Sequence, residues 1–262
     1  MNPVFGLGIA GEEQFARLAS TLPEEISFLE VPGELLDTPS AVSRLKKLSG
    51  RQKKALVIRD IMPSYLAEAL PTSPLRLKVE FDGKFRSRCR TAAALGCRVV
   101  SVDFDLVKAM NDALYGKGLT GLLKSMSGTL EELELLLALP LDMTEASATS
   151  FLAFKHRLFY PGFRYRIDFR YGEEGYFEAL DEAVKILDFE RNFWRIPCRC
   201  GGDSRLSPEV MEKLRPYWER RSRTPVFVSL DAGTLPPDGE LIEELTCLIR
   251  DFRSGKNEGG LC

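Results

Sequence analysis

Eight short apolar segments, each followed by a helical pattern, run from one end of this chain to the other, and no other feature restricts the fold as tightly. The segments are residues 4–10, 26–31, 55–60, 98–105, 135–139, 163–171, 193–198 and 226–231. Amphipathic patterns lie between them. Phe15, Leu18 and Leu22 mark the first helix, and Val42, Leu45 and Leu48 the second. Leu241, Ile242, Leu245, Leu248, Ile249 and Phe252 form one stripe in the last. Continuous β–α alternation predicts a mainly parallel sheet. Eight such units in 262 residues predict an α/β fold, a single closed (β/α)8 TIM barrel spanning residues 1–253, with a Gly-rich tail at 254–262. An open, doubly wound sheet normally carries a Gly-rich phosphate loop after its first strand. Gly6, Gly8 and Gly11 do not match that spacing, and they read as small residues packed along the first strand.

The strands are two-faced. Arg164, Arg166, Asp168 and Arg170 alternate with Phe163, Tyr165, Ile167, Phe169 and Tyr171. Ser101, Asp103 and Asp105 alternate with Val100, Val102 and Phe104, and Ser229 and Asp231 with Val228 and Leu230. A parallel strand covered by helices on both sides reads apolar throughout. The charged faces here must therefore look into a polar space. In a βα barrel that space opens at the C-terminal ends of the strands. The acids expected there are Glu30, Asp60, Asp103, Asp105, Asp142, Asp168 and Asp231, and the bases are Arg59, Arg166, Arg170, Arg195 and Arg199. Charges of both signs suit a polar ligand or a divalent metal. They also suit a buried network in which every member is paired.

Composition narrows the partners. A formal net charge of -2 provides no global attraction for nucleic acid or an anionic membrane. The basic runs at 84–90 and 215–223 read as solvated faces of outer helices. No stretch approaches a membrane span, and the first residues lack a secretory leader's basic and apolar regions, so a cytoplasmic protein is expected. Six cysteines in a chain of this size read as reduced thiols; Cys198 and Cys200 lack a second ligand pair for zinc. The single histidine, His156, lies in an aromatic-rich helical stretch and excludes any scheme that needs two imidazoles.

Three segments carry a family resemblance. Residues 26–36 read ISFLEVPGELL, a second strand with an acid before a Pro-Gly turn. Residues 59–63 place a proline after the third strand, and residues 77–100 end a helix in Ala-Ala-Leu-Gly before a valine-rich fourth strand. In this order they resemble the xylose isomerase-like barrels, most clearly over residues 26–105. The resemblance implies a sugar or sugar-phosphate isomerase or epimerase. It also implies a divalent metal (Mg, Mn or Zn) held by acids and a histidine at strands five to eight. Of those ligands only Asp168 and Asp231 carry over; strand five offers Ala138, Leu139 and Pro140, and strand seven has no histidine. The arginines around them, Arg166, Arg170, Arg195 and Arg199, repel a cation and bond carboxylates.

The expectation is therefore an isomerase or epimerase of a small polar carbohydrate, anionic sugars included, at the C-terminal mouth of the barrel. Glu30, Asp168 and Asp231 are its candidate acid–base groups, and Arg59, Asp103, Arg166, Arg170, Arg195 and Arg199 its candidate substrate-binding groups. The alternative is a barrel that binds an anionic sugar, or acts as a scaffold, without turnover.

Overall fold

The computed structural model describes residues 4–18, 22–51, 53–63, 75–141, 153–154, 162–168, 177–178, 181, 193–197, 212–213, 215–216, 227–231 and 239–254; of Asp168 and of Phe193–Pro197 it describes the backbone alone. Eight parallel strands close into a barrel in sequence order: β1 (Val4–Gly8), β2 (Phe28–Pro32), β3 (Ala55–Arg59), β4 (Val99–Ser101), β5 (Leu136–Leu141), β6 (Phe163–Asp168), β7 (Phe193–Pro197) and β8 (Phe227–Asp231). β8 pairs back onto β1, from Val4 opposite Phe227 to Gly8 opposite Asp231. The expected single (β/α)8 architecture is the one observed.

Helices α1 (Glu12–Leu18), α2 (Pro39–Arg51), α3 (Leu75–Ala94), α4 (Leu106–Asn111), α5 (Ala113–Glu132) and α6 (Gly239–Ser254) follow strands along the chain. A 3₁₀ turn, Gly33–Asp37, links β2 to α2. Among the described residues no helix is long and apolar enough to cross a membrane. Just past the end of α3 stands Gly96, whose φ of 79° lets the chain turn back into β4, with Cys97 N donating to Ala92 O at 3.0 Å.

Period-two alternation sorts the strand residues as expected. Phe5, Leu7, Leu29, Val31, Leu56, Ile58, Val100, Leu137, Leu139, Tyr165, Ile167, Val228 and Leu230 face outward and join one core with Phe15, Leu45, Phe81, Phe85, Leu119, Met126 and Ile249 of the helices. Burial in this core pushes the Cys89 and Cys97 thiols, and the Tyr165 hydroxyl, up to about 12. The thiols behave as small hydrophobes, as read from the sequence.

The inward set begins with an apolar floor. Phe28 and Val57 form a separate buried cluster with Val4 and Val99 packed against it, and the Phe227 ring meets Phe28 edge-on at 5.8 Å. Gly6 lies against this floor: a Cβ there would fall inside the contact distance of three Phe28 ring carbons. A Cβ on Gly8 would stand 3.0 Å from Asp231 Oδ1. These two glycines are packing residues, as the spacing argument required; nothing lies near a Cβ placed on Gly11.

Two expectations change at this level. The fourth strand was expected over 98–105 but ends at Ser101. Asp105 stops the extended run by accepting the Lys108 N–H at 2.7 Å and so capping α4. The run at 84–90 is not wholly solvated. Arg88 is buried, with Nε and Nη2 donating to the two Asp37 oxygens at 3.0 and 2.6 Å and Nη1 donating to Ile61 O at 2.7 Å. Lys84 Nζ also lies 3.4 Å from Asp37. The Arg88 hydrogen bonds hold the Asp37 carboxyl below its ordinary range. This pair fastens α3 to the 3₁₀ turn and to the loop after β3.

Candidate functional site at the C-terminal mouth

Above the apolar floor the inward residues become polar. The register sets Gly8 beside Glu30 and Asp231, and Pro32 beside Arg59. It sets Pro140 beside Arg166, Asp168 beside Arg195, and Arg195 beside Ser229. The lower polar layer holds Glu30, which is 0% exposed; Ser229 Oγ donates to its Oε2 at 2.6 Å.

A ribbon of alternating charge crosses the mouth. Arg59 Nη1 donates to Asp231 Oδ1 at 3.3 Å, and its Nη2 donates to Ile9 O at 2.9 Å. Arg59 Nε stands 3.6 Å from Asp60 Oδ2. Asp60 Oδ1 in turn lies 3.5 Å from Arg166 Nη1, and Arg166 Nη2 donates to Asp103 Oδ1 at 3.3 Å. Arg166 Nη1 also donates to Ser101 Oγ at 3.4 Å. The order Asp231, Arg59, Asp60, Arg166, Asp103 thus runs from β8 through β3 and β6 to the segment after β4.

Depth differs along this ribbon. The Arg166 side chain is 3% exposed, whereas those of Asp60 and Asp103 are 40% and 52% exposed. The guanidinium groups lie beneath and the Asp60 and Asp103 carboxylates form the rim, whereas Asp231 is covered about as deeply as Arg59. This arrangement fits the requirement that a buried charge be paired. It also presents solvent with carboxylates that can accept hydroxyl protons or remove a proton.

Of the candidates read from the sequence, the structure brings together Arg59, Asp60, Asp103, Arg166 and Asp231 in one ribbon, with Glu30 in the layer below. Asp168 and Arg195 have backbone positions on the same ring of strands. Arg170, Arg199, Asp142, His156 and the Cys198–Cys200 pair lie outside the described residues. Asp105 is diverted to its helix cap. The role of Asp60 as the link between the two arginines was not legible, because the residue after Arg59 on an extended strand would face the helices.

The divalent metal implied by the resemblance does not fit the described residues. Asp231 faces the Arg59 guanidinium, and among the described residues no group of three His, Cys, Asp or Glu side chains could hold an ion. Two surface clefts, of about 570 and 800 Å³, lie on the helical exterior. The first is lined by Val79, Leu114, Gly118 and Leu122, the second by Leu18, Ile242 and Cys247; none of the mouth residues takes part in either.

Comparison of the fold places these observations. A D-psicose 3-epimerase from Clostridium cellulolyticum H10, solved with D-tagatose, superposes with a TM-score of 0.66 at 11% identity over 96% of this chain and 98% of that one. A xylose isomerase domain protein from Planctomyces limnophilus superposes at 0.63 with 14% identity, over 97% of this chain and 100% of that one. The fold is the (β/α)8 barrel that these structures share. A 3-keto-D-glucoside 4-epimerase from E. coli matches at 0.64 with 11% identity, over 95% and 99% of the two chains. No family model and no curated protein matches the sequence. The similarity of fold accords with the resemblance carried by residues 26–105.

Proposed function

We propose that this xylose isomerase-like barrel is an isomerase or epimerase of a small polar carbohydrate, working at its C-terminal mouth. The observation that carries the reading is the Arg59–Asp231 contact at 3.3 Å, which sets a carboxylate beside a permanent cation at the end of β8. Epimerisation beside a carbonyl needs both. A base takes the proton from the carbon next to the carbonyl, the C–H electrons move into an enediolate, and a cation steadies the oxygen that gains charge. In this reading Asp231 takes the proton, and Arg59 and Arg166 hydrogen-bond the oxygen. Return of the proton to the opposite face gives the epimer; its return to the neighbouring carbon gives the isomer. Asp168, at the same end of β6, is the second candidate acid. Glu30 acts from below through Ser229 rather than on the ligand, since it is fully covered.

Similar barrels solved as sugar epimerases support this reading at the level of fold. The rim carboxylates favour a hydroxyl-rich sugar over a phosphorylated one among the groups described. The alternative of binding without turnover is favoured by a specific observation: Arg59 and Arg166 at the mouth already face carboxylates.

Solvent-deuterium exchange separates the two. D-Fructose and D-tagatose are incubated with the protein in deuterated buffer and followed by NMR. Incorporation of deuterium beside the carbonyl, lost in Asp231→Asn, is the expected result. Calorimetric binding of either sugar without exchange would establish the alternative, and neither binding nor exchange would sink both.

A further inference from the structure

Asp60 has a φ of 49°, in the left-handed region. For a residue with a side chain this conformation is strained, and aspartate is among the residues that tolerate it. Lys53 and Glu134 share it, but each lies just past a helix, α2 and α5, where such turns are ordinary. Asp60 instead follows a strand, at the mouth.

The turn changes which way the residue faces. Arg59 stands in register with Pro32 on the inner face of the sheet. On an extended strand the next residue would point into the helical layer. The left-handed turn brings two consecutive side chains to the same space. Four holds keep it in place. Asp60 N donates to Ser101 Oγ at 3.1 Å, and Ile61 N donates to Ser101 O at 2.8 Å. Arg88 Nη1 donates to Ile61 O at 2.7 Å. Gly33 leaves room for the turn, since a Cβ there would stand 2.6 Å from both Asp60 O and Ile61 Cα. Strain held by its surroundings in this way is found where a side chain must be delivered to a site.

We propose that Asp60 is a positioning residue, held in a strained turn so that one carboxylate lies between Arg59 and Arg166 and fixes both guanidinium groups at the mouth. Its catalytic consequence rests on the epimerase reading above; its effect on the arginines does not. Displacing a guanidinium from a developing oxyanion lowers turnover more than ligand affinity.

The test compares Asp60→Asn, Asp60→Ala and Asp60→Gly. Asp60→Asn keeps a side chain that tolerates the turn and removes the charge. Asp60→Gly and Asp60→Ala both lack the carboxylate and differ in backbone strain, so Asp60→Gly is expected to unfold at the higher urea concentration. Modification of Arg59 and Arg166 by phenylglyoxal, located by peptide mass spectrometry, is expected to be faster in all three variants than in the wild type. In the deuterium-exchange assay kcat is expected to fall about tenfold or more in all three, with KM moving less and with no relation to their order of stability. Unchanged arginine reactivity in Asp60→Asn would overturn the proposal, as would equal stability of the Ala and Gly variants. Faster arginine modification with no exchange in the wild type would uphold Asp60 as a positioning residue and remove the epimerase reading instead.

Discussion

Gly6→Ala tests the claim that the first-strand glycines are packing residues. The added methyl would lie closer than 3.0 Å to Cδ2, Cε2 and Cζ of Phe28, against a normal carbon–carbon separation of about 3.5–4.0 Å. The ring has little room to retreat, being 1% exposed, packed with Val57, Val4 and Val99, and met edge-on by Phe227. Overpacking of this kind costs about 1–3 kcal/mol. Replacing glycine also restricts the unfolded chain and returns about 0.4–1 kcal/mol. The net expectation is a loss of about 1–2 kcal/mol, read as a lower urea midpoint with an unchanged slope. The Phe28→Leu background removes the colliding ring atoms. There the same substitution should cost less than about 0.5 kcal/mol, so the two changes are coupled. An equal cost in both backgrounds, or a stabilising Gly6→Ala in the wild-type background, would refute the packing argument.

Two further outcomes follow from the polar contacts. Ser229→Ala removes the hydroxyl that donates to buried Glu30 at 2.6 Å, leaves the fold's shape almost unaltered, and should cost about 1–3 kcal/mol in urea unfolding; a change below about 0.5 kcal/mol would show that this bond contributes little. The Asp37 carboxyl is held below its ordinary 3.8, chiefly by the Arg88 hydrogen bonds, so its contribution is present above that value and is lost as pH falls through the folded-state value. The stability gap between wild type and Arg88→Met should therefore be constant from neutrality to about 3.8 and shrink below it, and a gap independent of pH down to full acid unfolding would contradict the assignment.

The two levels of information divide along a physical line. Hydrophobic periodicity is a local property, and the eight strands, their order and the outward core residues such as Leu7, Ile58 and Ile167 were legible from it. The two-faced strands also declared that Arg166 and Asp231 would face a polar interior, because period-two alternation leaves them nowhere else to go. The length of β4 was misread because Asp103 and Asp105 continue the alternation in sequence, while the Asp105 cap ends the strand through a bond to a backbone N–H three residues ahead. Arg88 was misread for a related reason: a basic run on a helix looks solvated until a carboxylate from a different segment, Asp37, closes over it.

The pairing of charges belonged to tertiary structure alone. Sequence predicted that arginines and acids would meet at one end of a barrel, because every strand of a parallel barrel ends on the same side, and among the described residues Arg59 and Arg166 do so. Which acid faces which arginine depended on register and depth, and these join residues as distant as Arg59 and Asp231. The left-handed turn at Asp60 was the least legible feature of all, since Ser101, Gly33 and Arg88 impose it from three other segments of the chain. A residue's face can be read from its neighbours in sequence, but its partner is chosen by the closure of the barrel.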